Sequence, residues 1–133
     1  MYYFTPAAAL PRSHVERIHP AGSLIGKRVI DPDGQVLGTI QEIMLDIEAR
    51  RIVYAVVSFA DALGLRDRLY AVPWQALKLD DECECFVLDI SRQRLEQAPG
   101  FDKHNWPDMS NEIWGRRVHN FYGARPYWEE LDD

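Results

Sequence analysis

The sequence predicts a mainly β fold: a small, strongly bent antiparallel barrel of about six strands, followed by a short helix and a partly helical C-terminal extension. Three observations carry this expectation. The run Arg51-Ile-Val-Tyr-Ala-Val-Val-Ser-Phe59 is apolar on both alternating sets, so it reads as a central strand covered on both faces. Asp31-Pro-Asp-Gly34 sets a fixed φ at Pro32 and a residue tolerant of positive φ at Gly34 between two apolar runs, which is the economical pattern of a hairpin. Finally, Val36, Gly38 and Ile40 share one alternation while Ile43, Leu45 and Ile47 share the other. The slip falls at Gln41-Glu42 and predicts a bulge that bends one long strand.

The elements follow in order. Residues 1–23 read as an N-terminal arm interrupted by Pro6, Pro11 and Pro20, with Ser13 able to cap one helical turn and Tyr2, Tyr3 and Phe4 at its free end. His14 and His19 lie five apart, which does not stack them on one helical face as a metal pair. The first hairpin runs from Leu24 to Ile40, where Gly26 and Gly38 mark a bend or a close backbone approach. Glu48-Ala-Arg-Arg51 turns the chain into the central strand. Ala60–Arg68 is a mixed loop, Leu69–Val72 a short strand, and Pro73-Trp74 opens a brief helical turn through Ala76.

Leu77–Leu79 and Cys85–Ile90 flank the acidic turn Asp80-Asp-Glu-Cys83 and form a last hairpin. Ser91 caps a short helix over Arg92–Gln97, stopped by Pro99-Gly100. Cys83 and Cys85 are the only cysteines. A bridge between them would be strained in an extended chain, and one pair cannot complete a four-ligand zinc site. The expectation is reduced thiols that hold no metal, at least one of them packed in the core, with redox sensing as the alternative.

Composition places limits on function. A chain of 133 residues, 47% hydrophobic and 27% charged, can bury a core without disulfides or a metal. No apolar run approaches the ~20 residues a membrane-spanning helix needs, and the N-terminus lacks the positive region of a secretory signal, so the expected location is cytoplasmic. The net charge of −6 is carried by residues beyond 23 and weighs against phosphate-backbone binding.

Together, Leu24-Ile-Gly-Lys-Arg-Val29, Asp31-Pro-Asp-Gly34, Leu37-Gly-Thr-Ile40, Asp46, Val53-Tyr-Ala-Val-Val57, Val72-Pro-Trp74 and Leu88-Asp-Ile90 with its capped turn resemble the PRC-barrel domain family over about residues 24–99. That family is similar to the cytoplasmic domain of the photosynthetic reaction-centre H subunit and to the C-terminal domain of a ribosome maturation factor. The resemblance implies a bent antiparallel barrel used as an assembly module, and it brings no catalytic residue. The sequence is expected to depart from both, with neither a transmembrane helix nor an N-terminal RNA-processing domain ahead of the barrel.

Residues 100–133 are expected to form an aromatic-rich extension. Ser110 would cap a helix over Asn111–Tyr122 ended by Gly123, with Ile113, Trp114, Val118 and Phe121 as one stripe. The stripe packs on the chain's own barrel or forms a partner surface, for which the candidate residues are Trp106, Trp114, Phe121, Tyr127 and Trp128. The functional expectation is a non-enzymatic protein-interaction or assembly module, self-associating as a homodimer, with no cofactor, metal or catalytic residue. Two alternatives stand beside it. One is RNA or ribonucleoprotein binding through Arg116, Arg117 and Arg125 beside aromatics. The other is a small-ligand sensor at the barrel mouth built from Asp61, Arg66, Asp67 and Trp74.

Overall fold

The structure is a computed structural model and describes residues 18–59, 68–80 and 82–130. The expectations for residues 1–17, and those for Asp61, Arg66 and Asp67, lie outside the described residues. Seven strands form one sheet: β1 (Arg28–Ile30), β2 (Val36–Asp46), β3 (Arg51–Phe59), β4 (Arg68–Pro73), β5 (Leu77–Asp80), β6 (Cys85–Leu88) and β7 (Phe101–Asp102). Their order is β5-β6-β1-β2-β3-β4-β7, so the sheet is bent but not closed, with β5 and β7 at its edges. A 3₁₀ turn at Trp74–Ala76 joins β4 to β5. The helices are α1 (Arg92–Leu95), α2 (Glu112–Tyr122) and α3 (Tyr127–Glu130).

The first hairpin is held by Asp31, whose Oδ1 accepts from the backbone N–H groups of Asp33 and Gln35, both at 2.9 Å. In the β2–β3 pair, Ile40 faces Val57 and Glu42 faces Val56, leaving Gln41 as an extra residue. This is the bulge that the alternation slip predicts, and a second irregularity follows at Met44/Leu45. Gly38 is a close-approach position: a Cβ there would run into the backbone of Ser58 and lie 2.8 Å from Phe59 Cα.

Three features depart from the expected six-stranded antiparallel barrel. β6 pairs with β1 in parallel, Val29 facing Phe86 and Ile30 facing Val87. β7 is added from the tail, pairing Phe101 with Leu69 and Asp102 with Arg68. The sulfurs of Cys83 and Cys85 are joined in a disulfide, which corrects the expectation of two free thiols. The reason is local. Glu84 adopts φ 54, so the chain between the cysteines is a turn rather than extended, and the Cα atoms come within 5.3 Å, inside the range a bridge can span.

The core has two parts, one on each face of the central strands. Ala55, Val57 and Phe59 of β3 join Val29, Leu37, Ile40, Tyr70, Val72, Phe86, Leu88 and Leu95 inside the bend. Tyr54 and Val56 of β3, with Ala71 of β4, face the other way and meet Phe101 and Val118, with Trp114, Tyr122 and Tyr127 packed alongside. β3 is therefore buried on both faces as its composition requires, one face by the curl of the sheet and the other by the C-terminal extension.

Candidate functional site

The junction between the sheet and the extension gathers three of the candidate residues, Trp114, Tyr127 and Trp128. α2 is capped by Asn111, not Ser110: the Asn111 side chain accepts from Trp114 N–H at 3.0 Å, whereas Ser110 N–H is taken by Asp108 Oδ1. Gly123 ends the helix in the left-handed conformation, φ 70, as expected. The buried residues of α2 are Gly115, Val118 and His119. Ile113, expected in the buried stripe, is 82% exposed. The inward face is thus rotated toward a glycine and a histidine, residues that a search for large apolar spacing passes over.

Gly115 sits there for space. A Cβ on it would lie 2.9 Å from the Trp128 ring and 3.2 Å from the Tyr54 hydroxyl. The rings interlock, edge to face where Tyr54 meets Trp114 at 5.3 Å and Tyr127 at 6.2 Å and where Trp128 meets His119 at 5.6 Å and Tyr127 at 5.2 Å, and tilted where Tyr54 meets His119 at 5.4 Å. His119 Nδ1 lies 2.7 Å from Gly115 O. Tyr127 donates its hydroxyl to Asp46 Oδ2 at 2.9 Å, which ties α3 to the end of β2.

Burial and hydrogen bonding set the protonation of the phenols and the carboxylate here. Burial pushes the Tyr54 and Tyr122 phenols above their ordinary range. Tyr127 is pushed up to about 12, chiefly by burial and then by its bond to Asp46. The Asp46 carboxyl is held below its usual value first by the Ala49 N–H and then by the Tyr127 hydroxyl. At neutral pH these groups therefore hold their protons or their charge and offer no poised acid or base. Among the described residues, no three His, Cys, Asp or Glu side chains are grouped to hold a metal.

The five candidate partner residues are divided by the structure. Trp114, Tyr127 and Trp128 are half-buried in the junction. Phe121 lies under the Arg94 guanidinium, 4.3 Å from ring centroid, and its carbonyl accepts from Arg94 at 2.9 Å. Trp106 packs on Phe101 at 5.2 Å but stays 42% exposed. Trp74 is packed on Phe86 at 5.3 Å. Of the cationic residues, Arg116 pairs with Glu129 at 2.8 Å and Glu112 at 3.5 Å.

Two surface features surround the junction. Pro107, Asp108, Asn111, Ile113, Trp114 and Arg117 line a shallow pocket on the outer side of α2. Further along the same helix, and sharing Arg117 with the first, a second depression is bordered by Arg68, Gln97, Gly100, Asn120 and Phe121. Exposed apolar side chains also occur at Leu45 and Ile47, which bracket Asp46, and at Leu79 on edge strand β5. The alternation of Ile43, Leu45 and Ile47 implies that all three face inward; Leu45 and Ile47 are exposed instead, beyond the second irregularity at Met44/Leu45, which shifts the register again. No helix among the described residues is long and apolar enough to cross a membrane.

Comparison with known proteins agrees with this architecture. Residues 16–92, more than half of the chain, match the family described as PRC-barrel domain. A search of curated proteins finds no match. Among solved structures, one described as a RimM-type 16S ribosomal RNA processing protein from Pseudomonas aeruginosa is similar. It is 24% identical with a TM-score of 0.41, and the match covers 63% of this chain and 50% of that one. The chain thus spans about half the length of that protein. By the extent of the family match, the chain belongs to the PRC-barrel domain family.

Proposed function

We propose that this protein is a non-enzymatic protein-interaction module, residues 24–99 forming the module and residues 100–133 its cover, and that it self-associates as a homodimer in the cytoplasm. The observation that carries the reading is the outer side of α2. There Ile113, 82% exposed, stands beside the half-buried Trp114 over a shallow pocket that also includes Pro107 and Arg117. An aliphatic anchor beside a tryptophan and an arginine has the composition of a contact centre.

Sedimentation velocity over a wide concentration range tests the dimer. Concentration-dependent growth in mass that is lost in Ile113→Asp supports it, and a monomer at every concentration refutes self-association. A second reading, RNA binding, draws on Arg68 and Arg117 converging with Asn120 and the Phe121 ring on one depression. Against it stands the net charge of −6. A gel shift with single-stranded RNA at low salt decides: no shift ends that reading.

A further inference from the structure

We propose that Cys83 and Cys85 form a reversible dithiol–disulfide exchange site whose substrates are thiols, with Cys83 the sulfur that is attacked and Cys85 the one released. The pair closes a ring through a single intervening residue, Glu84. A bridge across so short a segment removes little freedom from the unfolded chain, so the fold gains little from it. The hairpin has its own ladder in any case, with β5 and β6 paired from Leu77 with Leu88 to Asp80 with Cys85. The bond also coincides with backbone strain, since Glu84 is a non-glycine residue at φ 54. A bridge with an accessible sulfur is open to exchange.

The two sulfurs differ in access. Cys83 is half-buried in the turn, whereas Cys85 is 0% exposed, on the strand that pairs with β1. An incoming thiolate therefore reaches Cys83. It forms a mixed disulfide there while the old sulfur–sulfur bond breaks, and Cys85 takes up a proton as a thiol. A second thiol of the reductant then attacks the mixed disulfide, leaving Cys83 as a thiol and the reductant as its own disulfide. Two electrons and two protons pass to the protein from the dithiol, and oxidation reverses the step.

The surroundings select among thiols. Asp80, Glu82 and Glu84 stand in the turn, and the cation Lys27 approaches Glu84 at 3.8 Å, partly offsetting one of them. An anionic thiol is repelled where a cationic one is drawn in, and salt screens both effects.

The test uses the full-length protein without denaturant. It is equilibrated in buffers of graded oxidised-to-reduced dithiothreitol, quenched with a maleimide and weighed by mass spectrometry. The expected result is one two-electron transition between no and two modified cysteines, with a native circular-dichroism spectrum at both ends. Cys83→Ser and Cys85→Ser should each abolish it. Two free thiols at every ratio overturn the proposal, and so does a bridge that opens only in urea, which would be a structural bond. For kinetics at equal thiolate concentration, cysteamine should open the bridge at least about threefold faster than glutathione at low salt, the gap closing in concentrated salt. Equal rates at low salt overturn the charge selection.

Discussion

Replacing Tyr127 by Phe removes a hydrogen bond that ties α3 to the end of β2. The substitution deletes the hydroxyl that Asp46 accepts at 2.9 Å and keeps the ring against Tyr54 and Trp128. A bond to a charged acceptor contributes about 1.5–3 kcal/mol when shielded. Asp46 is only half-buried and keeps the Ala49 N–H, so water and the remaining donor replace part of that, and the loss should be about 1 kcal/mol. For a chain of this length that corresponds to a fall in Tm of roughly 3–6 °C.

The pH dependence gives the prediction its sign. Asp46 titrates lower in the folded protein than its usual 3.8, so its contribution is present above that value and fades as pH falls through the folded value. Tyr127 moves the other way, from 10.0 to about 12, so its contribution is complete below pH 10 and fades as pH rises toward 12. Urea melts followed by tryptophan fluorescence should show a difference between wild type and Tyr127→Phe that is flat from about pH 5 to 9 and shrinks on both sides. A variant as stable as wild type at pH 7, or a difference that survives unchanged at pH 2.5, would refute the reasoning.

Other perturbations test other joints. Gly38→Ala forces a methyl group into the backbone of Ser58 and Phe59; it should cost about 2–3 kcal/mol by chemical denaturation, while Gly22→Ala, with open space around it, stays within about 1 kcal/mol. Asn111→Ala removes the cap of α2 and should cost about 1 kcal/mol in the same assay. Deleting residues 101–133 uncovers Tyr54, Val56 and Ala71; the truncated chain should bind a hydrophobic dye and lose its cooperative melt, and an unchanged melting curve would show the extension to be dispensable.

How much of this was legible depended on the range of the interaction. The bulge at Gln41 could be read because it is a local break in alternation, and the Ser91 and Gly123 caps because they are local hydrogen-bond and φ requirements. The double burial of β3 could be read from its two apolar faces, although what covers the second face could not be specified residue by residue. The strand at Phe101–Asp102 had no signal: two residues carry no period, and its pairing with Arg68 and Leu69 is set by the tail folding back. The face of α2 was misjudged because Gly115 and His119 are chosen for fit against Trp128 and Tyr54, a property of the neighbours rather than of the helix. The cysteines were misjudged because the left-handed turn at Glu84 replaces the extended chain assumed for them.

The parallel contact between β1 and β6 has a consequence for the order in which the chain can fold. β1 is three residues long, and one of its two neighbours, β6, lies more than fifty residues downstream, whereas β2, β3 and β4 are joined by successive antiparallel pairings. Loop-closure entropy places the distant pairing last. A chain emerging from the ribosome can assemble the β2–β3–β4 meander while β1 still has one side unpaired, and only the arrival of Phe86 and Val87 seats it. Pulse-labelling hydrogen exchange during refolding should therefore protect the amides of β3 before those of Val29 and Ile30, and simultaneous protection would mean that the sheet forms in a single step.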